Sequence, residues 1–535
     1  MQIKVLFISA ALFFFLGPIV SRAQTGVIKG TVIDQITQEP IPFANLILEN
    51  TTLGATTDFD GNFEISGITP GIYTIVGSVV GYNKYLLSEI TVGVAKPVEL
   101  NIEMVESVER LEGVEIKASP FVESKESPVS LRTINTTEII RNPGGNRDIS
   151  KVIQSLPGVA TTVSFRNDII IRGGAPNENR FYLDDIEVPN INHFATQGSS
   201  GGPVGMINVN FIREVDFYSG AFPANRNNAL SSVMNFKQIT GNTERLSGTF
   251  MVGSSDVGLT LDGPTGKNSS FILSARRCYL QFLFSVLKLP FWPTYNDFQY
   301  KHTFRPTAKT KITLIGLGAI DDFELNESVN DGVTDSTDIE RNNYILETLP
   351  VNTQWNYTLG AKWEYFSDAN SHMVVASRNH LSNTSNKYRD NIEIPENLLL
   401  DYNSEEIENN LRYEFNHQST NWNVNWGARY QYAVYKNRTY SQREFQGSVD
   451  TVNFESRLAM NKFGAFVQAN RSFFNNRLSL SFGLRTDFND YSSEMNNPLE
   501  QLSPRLSGSY AILPNLSLSF NVGRYYQLPA YTVLG

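Results

Sequence analysis

A two-residue alternation of apolar and polar side chains in the second half of the chain constrains its fold most. It is clearest in "NWNVNWGARYQY" from residue 421, "LSLSFGLR" from residue 478 and "LSLSFNVG" from residue 516. Successive residues of a β-strand point to opposite faces, so each segment has one apolar and one polar face. Two folds use such strands: a membrane barrel with lipid outside and a polar lumen, and a soluble sandwich with an apolar core.

The lengths of the connections between these strands separate the two folds. Tight connections are predicted near Pro306, Asp368, Ser419, Asn475 and Pro514, and long polar ones over 327–351, 387–402, 439–455 and 489–502. Tight and long connections therefore alternate along the chain. Outer-membrane barrels have short periplasmic turns and longer outer loops. The pattern favours a partial antiparallel transmembrane β-barrel of about thirteen strands over residues 241–535.

Charge and residue usage exclude several function classes. Lys and Arg number 44 against 54 Asp and Glu, a net charge of -10, whereas a nucleic-acid binder would carry a basic patch. The five His residues offer little material for metal or acid–base chemistry, and Cys278, the single cysteine, cannot form an intrachain disulfide. We therefore expect no nucleic-acid partner, no metal site and no cofactor.

The first 23 residues have the pattern of a secretory signal peptide. Lys4 supplies a positive charge, residues 6–16 are apolar, and Ser21-Arg22-Ala23 offers the small residues that a signal peptidase recognises. The apolar stretch is shorter than the ~20 residues that a membrane helix needs. The sequence thus predicts export from the cytoplasm.

Residues 24–107 show short strands punctuated by turns, which predicts a small β-sandwich. In "TTDFDGNFE", an EF-hand calcium loop would need a bidentate Glu at the position of Gly67, so Asp60-Gly61 is interpreted as a hairpin turn. The segments "GTVIDQITQEPIPFANLIL" and "PGIYTIVGSVVGY" resemble the carboxypeptidase-regulatory-like domain. That resemblance brings no enzyme with it.

The stretch "IIIRGGAPNENRFYLDDIEVPN" at 169–190 raises the question of an active site, because Asp184 and Asp185 are adjacent carboxylates. Neighbouring residues on a strand point to opposite faces, so the two carboxylates would not face one substrate atom together. No P-loop is present either, because "RGGAP" lacks the following Lys-Ser/Thr. We expect Asp184→Asn and Asp185→Asn to disturb folding or transport modestly and to remove no hydrolytic activity.

Residues 121–240 resemble the plug domain of TonB-dependent outer-membrane receptors. The match rests on the turn Arg172-Gly173-Gly174, on Leu183-Asp184, and on a return strand "IREVDFYSGAFPA". Asp185 stands where that family usually has Gly, and Asp tolerates a left-handed backbone better than most residues. The resemblance implies an α+β plug inside a barrel. It also implies a structural role for the stretch at 169–190.

A charged segment at 108–120 precedes the predicted plug. It has two interpretations: a linker, or an extended peptide that pairs with the sheet edge of a partner. Its core is Leu111, Glu112, Gly113, Val114, Glu115, Ile116 and Lys117. The resemblance favours the second, because in this family the TonB box occupies that place and pairs with an energy-transducing protein of the inner membrane.

The resemblance implies a mainly β receptor in the outer membrane, with its N-terminal domain and plug on the periplasmic side. Such a protein is not an enzyme. It imports a scarce solute such as an iron chelate, cobalamin, an oligosaccharide or a peptide, and a surface lipoprotein is a further candidate partner. The alternative is a non-transporting adhesin or ligand-sensing receptor. A secreted polysaccharide-processing enzyme would need a carboxylate pair that the sequence does not offer.

The strand count also carries an expectation about the sheet. Bacterial single-chain barrels have an even number of strands, and thirteen is odd. We therefore expect these 535 residues to be an incomplete receptor whose curved, open sheet partly surrounds the plug.

Signal peptidase should cut after Ala23 and leave Gln24 as the mature N-terminus. N-terminal sequencing of the exported protein tests this prediction. A mature protein that retains Met1 would contradict the proposed export.

Overall fold

The computed structural model describes most of the chain after residue 24. The described residues are 25–35, 37–93, 97–106, 131–145, 147–161, 166–199, 201–253, 255–367, 369–419, 422–445, 448–474, 477–513 and 516–535. They form two compact units divided at residue 118. The signal peptide and the 108–120 segment with its TonB-box candidate lie outside the described residues, so both stay predictions.

The first unit is the predicted small β-sandwich. One sheet has the order β4-β1-β7 and the other has the order β3-β2-β5-β6. The strands are β1 Gly26–Asp34, β2 Asn45–Leu48, β3 Gly54–Thr56, β4 Asn62–Ile68, β5 Gly71–Ser78, β6 Tyr85–Val92 and β7 Val98–Met104. Alternate residues such as Phe63 and Ile65 of β4 are buried, so each sheet turns one apolar face to the shared core.

The turn at Asp58–Asn62 differs from the predicted hairpin. The Asp58 carboxylate accepts hydrogen bonds from the backbone N–H of Asp60 (3.0 Å) and of Asn62 (2.7 Å), and Gly61 has a φ of 74°. However, β3 pairs with β2 whereas β4 pairs with β1. The turn therefore joins two sheets, and the hairpin prediction was wrong because strand pairing is a tertiary choice.

The second unit begins with the plug, which combines sheets and helices as predicted. Its main sheet has the order β12-β11-β16-β15-β8, and two small sheets pair β9 with β10 and β13 with β14. The plug strands and helices are β8 Leu131–Asn135, α1 Thr136–Arg141, α2 Ile149–Gln154, β9 Val159–Ala160, β10 Ile170–Ile171, β11 Asn179–Leu183, β12 Ile186–Val188, β13 Asn192–His193, β14 Val204–Gly205, β15 Ile212–Tyr218 and β16 Ser232–Gln238, with short 3-10 turns at Pro176–Glu178 and Val209–Phe211.

A single antiparallel sheet of thirteen strands forms a wall that contacts the plug. Its strands are β17 Ser247–Val252, β18 Asp256–Gly266, β19 Ser269–Cys278, β20 Phe291–Thr307, β21 Thr310–Leu325, β22 Val351–Ser367, β23 Asn370–Tyr388, β24 Leu398–Gln418, β25 Trp422–Phe445, β26 Ser448–Phe473, β27 Leu478–Asn489, β28 Leu502–Leu513 and β29 Leu516–Gly523. Each strand pairs with its sequence neighbours, and within the described residues β17 pairs only with β18 and β29 only with β28. The sheet is open, as expected.

Helices occupy two connections of this sheet and the segment after its last strand. They are α3 Leu280–Val286, α4 Ser336–Thr348 and α5 Tyr531–Leu534, with 3-10 turns at Glu327–Asn330, Arg389–Asn391 and Pro395–Asn397. Asp335 caps α4 by accepting a hydrogen bond from the backbone N–H of Thr337 at 2.8 Å. No helix among the described residues has both the length and the apolar character needed to cross a membrane.

The two faces of the large sheet have opposite polarity. In β25, Trp422 and Trp426 are 42% and 44% exposed, whereas Asn425 and Gln431 are 7% and 5% exposed. The apolar face is therefore outside and the polar face is against the plug. A soluble sandwich would bury its apolar face, so the arrangement confirms the barrel interpretation of the alternation.

The prediction of a long connection at 439–455 was wrong. β25 continues to Phe445 and β26 starts at Ser448, with Tyr440 opposite Asn453 in an unbroken register. The stretch is polar, which suggested a loop, but Tyr, Thr and Val favour strands. Strict alternation of tight and long connections therefore fails at this hairpin. The other long connections, 326–350, 389–397 and 490–501, are present.

The plug rests on an apolar part of the inner wall. Plug residues Ile186 and Val188 share a buried cluster with wall residues Ile315 and Leu317. Gly360 of β22 makes room for this contact, because a Cβ atom at Gly360 would lie 2.7 Å from Cδ1 of Ile186. The absence of a side chain at this position therefore sets how closely the plug approaches the wall.

Gly360→Ala should destabilise the protein by about 1–3 kcal/mol, because the added methyl group overpacks the contact with Ile186. Thermal or urea unfolding in detergent measures the change. Gly316→Ala is the matched control, since a Cβ atom there would be 3.5 Å from Leu359, an ordinary contact. Equal effects of the two substitutions would contradict the close contact between the plug residue Ile186 and the wall at Gly360.

Candidate functional site

The two adjacent carboxylates of the 169–190 stretch lie in a turn. Asp184 and Asp185 have φ values of 48° and 69°, and Leu183 pairs with Ile186 across them. They form the two-residue connection between β11 and β12, where both central residues need positive φ, which Asp tolerates. The prediction that the two residues lie on a strand was therefore wrong. The expected left-handed backbone at Asp185 is present.

Both carboxylates contact basic side chains. Asp184 is paired with the Nζ atom of Lys301 at 2.9 Å. Asp185 contacts Nη2 of Arg226 at 2.7 Å and Nζ of Lys362 at 3.2 Å. Lys301 and Lys362 belong to wall strands β20 and β22. The carboxylates thus fasten the plug turn to the wall, each engaged by its own cations.

Charge pairing also fixes the ionisation of Asp185. Burial alone would raise the pKa of this carboxyl group, but Lys362 and Arg226 hold the pKa well below its usual value. A group with a lowered pKa contributes stability above its unfolded-state pKa and loses it as the pH falls through the folded-state pKa. Asp185 therefore remains ionised and paired at neutral pH, which does not suit a proton donor.

The Arg-Gly-Gly turn follows β10. Arg172 and Gly173 have φ values of 50° and 83°. A Cβ atom at Gly174 would meet Oγ of Ser231 and Oε2 of Glu178. The second glycine is thus required by close packing, and Ser231 donates a 2.5 Å hydrogen bond to Glu178 beside it.

Sequence reasoning missed a plug segment, residues 193–197, which we call the strap. His193, Ala195 and Gln197 contact wall strands β20 to β22 and β24. His193 lies between Asp297 of β20 and Asp321 of β21. Gln354 of β22 donates to the carbonyl of Ala195 (2.8 Å) and accepts from its N–H (2.9 Å). A lone histidine in "NINHFATQG" carries no sequence signal for these contacts.

The end of the strap reaches β24. Gln197 donates a 3.0 Å hydrogen bond to Glu406. Its side-chain oxygen accepts from the hydroxyl groups of Tyr402 at 2.6 Å and Ser404 at 2.5 Å. All three partners lie on one face of β24, as alternate residues of a strand do. The strap therefore crosses the inner wall from β20 to β24.

A polar cavity of about 100 Å³ lies beside the end of the strap. The plug, β24 and the segment that follows β29 line it. Its polar lining includes Asn177, Arg180, Glu187, Glu406, Glu408 and Tyr531, together with Gly198 and Ser199. Gly523 pairs with Arg505 near the start of β28, so the segment after β29 begins beside the long connection 490–501. The segment that contributes Tyr531 to the cavity therefore starts on the side of the long connections.

Hydrogen bonds and ion pairs join the residues that line the cavity. Tyr531 donates a 2.5 Å hydrogen bond to Glu408, and Lys462 reaches the Tyr531 oxygen at 2.5 Å. Glu187 of the plug pairs with Arg429 of β25 at 2.5 Å. Among the described residues, no group of three or more His, Cys, Asp or Glu side chains is placed to hold a metal ion. The lining suits a solute that presents hydroxyl or charged groups.

Three family models match consecutive parts of the chain. The CarboxypepD_reg-like domain matches residues 28–116, the TonB-dependent receptor plug domain matches 123–233, and the TonB-dependent receptor-like β-barrel matches 288–535. The TonB-dependent transporter Oar of Myxococcus xanthus is 23% identical over 233 residues, 42% of this chain and 21% of that protein. The TonB-dependent receptor SusC of Bacteroides thetaiotaomicron is 29% identical over 196 residues, 35% of this chain and 18% of that protein.

Solved structures share the fold of about three quarters of the chain. The ferric enterobactin receptor PfeA of Pseudomonas aeruginosa has a TM-score of 0.56 at 16% identity, with 76% of this chain and 63% of that chain covered. The siderophore receptor PirA of Acinetobacter baumannii has a TM-score of 0.56 at 15% identity, with 77% and 63% covered. The chain spans about a fifth of the length of Oar and SusC and less than two thirds of these two receptors.

The two buried cations replace the modest effect expected from the sequence with a larger one: Asp185→Asn should destabilise the protein by about 3 kcal/mol at neutral pH, because it leaves Lys362 and Arg226 without their shared anion. Urea unfolding in detergent measures this loss. The exposed Asp450 provides a matched control, and Asp450→Asn should change stability by less than about 0.5 kcal/mol. A similarly small loss for Asp185→Asn would contradict the fastening role of the turn.

Proposed function

We propose, from the premise that this chain belongs to the TonB-dependent receptor family of the outer membrane, that it imports a scarce solute across that membrane. The solute binds on the side of the long connections, and energy comes from the inner-membrane proton gradient through a TonB-type partner. The chain acts without catalysing a reaction. Candidate solutes are an iron chelate, cobalamin, an oligosaccharide or a peptide, and a surface lipoprotein is a candidate partner.

The polar inner face of the wall is the observation that carries this proposal. Wall residues that face the plug include Gln299, Gln354, Asn425 and Gln468, all buried. A lumen lined with amide and charged groups can be filled by water when the plug rearranges, because water replaces the hydrogen bonds that the plug supplied. An apolar lumen would not be stable when hydrated. This chemistry supports a plug that moves during transport.

The polar cavity beside the strap is the proposed contact point for the solute. Arg180, Glu187 and Glu408 offer charged hydrogen-bonding groups there, and both the plug and the wall contribute to it. A solute bound at such a place contacts the element that must move. Binding and plug rearrangement are thereby coupled.

The proposed TonB box is the segment 111–117. An extended peptide pairs with a partner's sheet edge through backbone hydrogen bonds, while its alternate side chains give specificity. Val114 and Ile116 have the spacing of neighbouring side chains on one face of such a strand. Pulling on this segment would transmit force to the plug that follows it in the chain.

Deletion of residues 111–119 should abolish energised uptake and leave surface binding of the solute nearly intact. Growth of a strain lacking the receptor on single nutrient sources first identifies the solute. Uptake of that labelled solute is then measured with and without a protonophore. Val114→Pro should mimic the deletion, because proline removes a backbone donor needed for strand pairing.

Val114→Thr is the matched control, since threonine keeps both the backbone donor and the preference for strands. Wild-type uptake by the deletion variant would identify the segment as a linker. Solute binding with no uptake by the wild-type protein would instead indicate a non-transporting adhesin or ligand-sensing receptor.

A further inference from the structure

The imidazole of His193 is fully buried at the contact between the plug and the wall. Its Nδ1 atom lies 2.6 Å from Oδ1 of Asp321, and its Nε2 atom lies 3.0 Å from Oδ2 of Asp297. The ring stacks on Tyr295 at a centroid distance of 4.2 Å. Both ring nitrogens therefore face carboxylate oxygens of two adjacent barrel strands.

This geometry requires the charged form of the ring. A neutral imidazole has one N–H and one lone pair, so one of its nitrogens would face a carboxylate without a proton between them. An imidazolium donates to both carboxylates. Arg276 adds a second cation, with its Nη2 atom 2.8 Å from Asp297. Each of the two fully buried carboxylates then faces a cation, as buried charges need, and Asp256, 3.9 Å from Nη1 of Arg276, adds a third carboxylate behind Arg276.

The same residue begins the strap that reaches the cavity. The backbone N–H of Phe194 donates to Oδ2 of Asp321 at 2.7 Å. The aspartate that contacts His193 therefore also binds the residue that follows His193. Ala195 is then held by Gln354, and Gln197 by Glu406. Gly198 and Ser199, which line the cavity, directly follow. The position of the cavity lining therefore depends on where the strap is fastened.

We propose that His193 is a positioning residue for the solute cavity: as a buried imidazolium between Asp297 and Asp321, it fastens the strap that places Gly198 and Ser199 in the cavity lining. The role of the cavity as a solute site rests on the proposed function. The fastening itself is a property of the folded chain. It is measurable without a solute.

The protonation equilibrium supports this geometry and gives its pH dependence. Burial alone would lower the pKa of His193, but the facing carboxylates Asp321 and Asp297 outweigh burial and raise it to about 9. The other titratable groups at the cluster are Arg276, Tyr295 and, on the far side of Arg276, Asp256. A raised pKa means that the stabilisation is complete below the unfolded-state pKa near 6.5 and is lost as the pH rises through about 9.

Hydrogen–deuterium exchange of the full chain in detergent tests the proposal. The readouts are the backbone amides of Phe194 and Ala195, corrected for intrinsic exchange rates, from about pH 7 to about pH 10. In the wild-type protein they should be protected at neutral pH, and protection should fall roughly tenfold per pH unit between about pH 6.5 and about pH 9 and level off above it. The amide of Ala224, which donates to Gln468 at 2.7 Å, is the internal control and should not follow this profile.

Two variants separate charge from packing. His193→Gln leaves one uncompensated negative charge, so protection of Phe194 and Ala195 should fall at least about tenfold at neutral pH. Adding Asp297→Asn removes that charge, and the double variant should regain protection that no longer depends on pH. In both variants, the exchange of residues 197–199 should follow that of the strap.

Several results would overturn the proposal. They are pH-independent protection in the wild-type protein, failure of the double variant to exceed the single variant, or unchanged exchange at 197–199 when the strap is released. None of these results bears on whether energised uptake occurs. Conversely, if the chain did not import a solute, the exchange measurements on the strap would still test the role of His193.

Discussion

Backbone hydrogen bonding in lipid is the constraint on which the large sheet depends. Every N–H and C=O group of a spanning strand must be paired within the sheet, because lipid offers no partner. Strands of this kind then have one face for lipid and one for the lumen. In this chain the lumen face carries amide, hydroxyl and charged groups, and the plug supplies partners for many of them.

The plug meets the wall in two chemically different ways. On one side, Ile186 and Val188 pack against Ile315 and Leu317, with Gly360 allowing close approach. Elsewhere the contacts are polar or ionic, through the Asp184-Asp185 turn and the strap. Apolar contacts resist hydration, whereas hydrogen bonds and ion pairs can be exchanged for water. When water enters the lumen, the apolar contact between plug and wall should therefore persist longer than the polar contacts, which water can replace.

Much of the fold could be predicted from the sequence, because it depends on local patterns. The order of sandwich, plug and barrel, the count of thirteen strands and the polarity of their faces agree with the structure. Local patterns misled where pairing decides the outcome. Residues 439–455 are polar yet extend a hairpin, Asp60-Gly61 turns between two sheets, and Asp184-Asp185 occupy a turn rather than a strand.

By itself the sequence determined which residues face lipid and which face the lumen, because that alternation is set by neighbours two positions apart. Only the tertiary structure decided which lumen residues meet. His193 lies 104 residues from Asp297 and 128 from Asp321 in the chain, and no pattern at either place specifies the other. Burial then makes the contact selective, since a fully buried charge is stable only beside an opposite one.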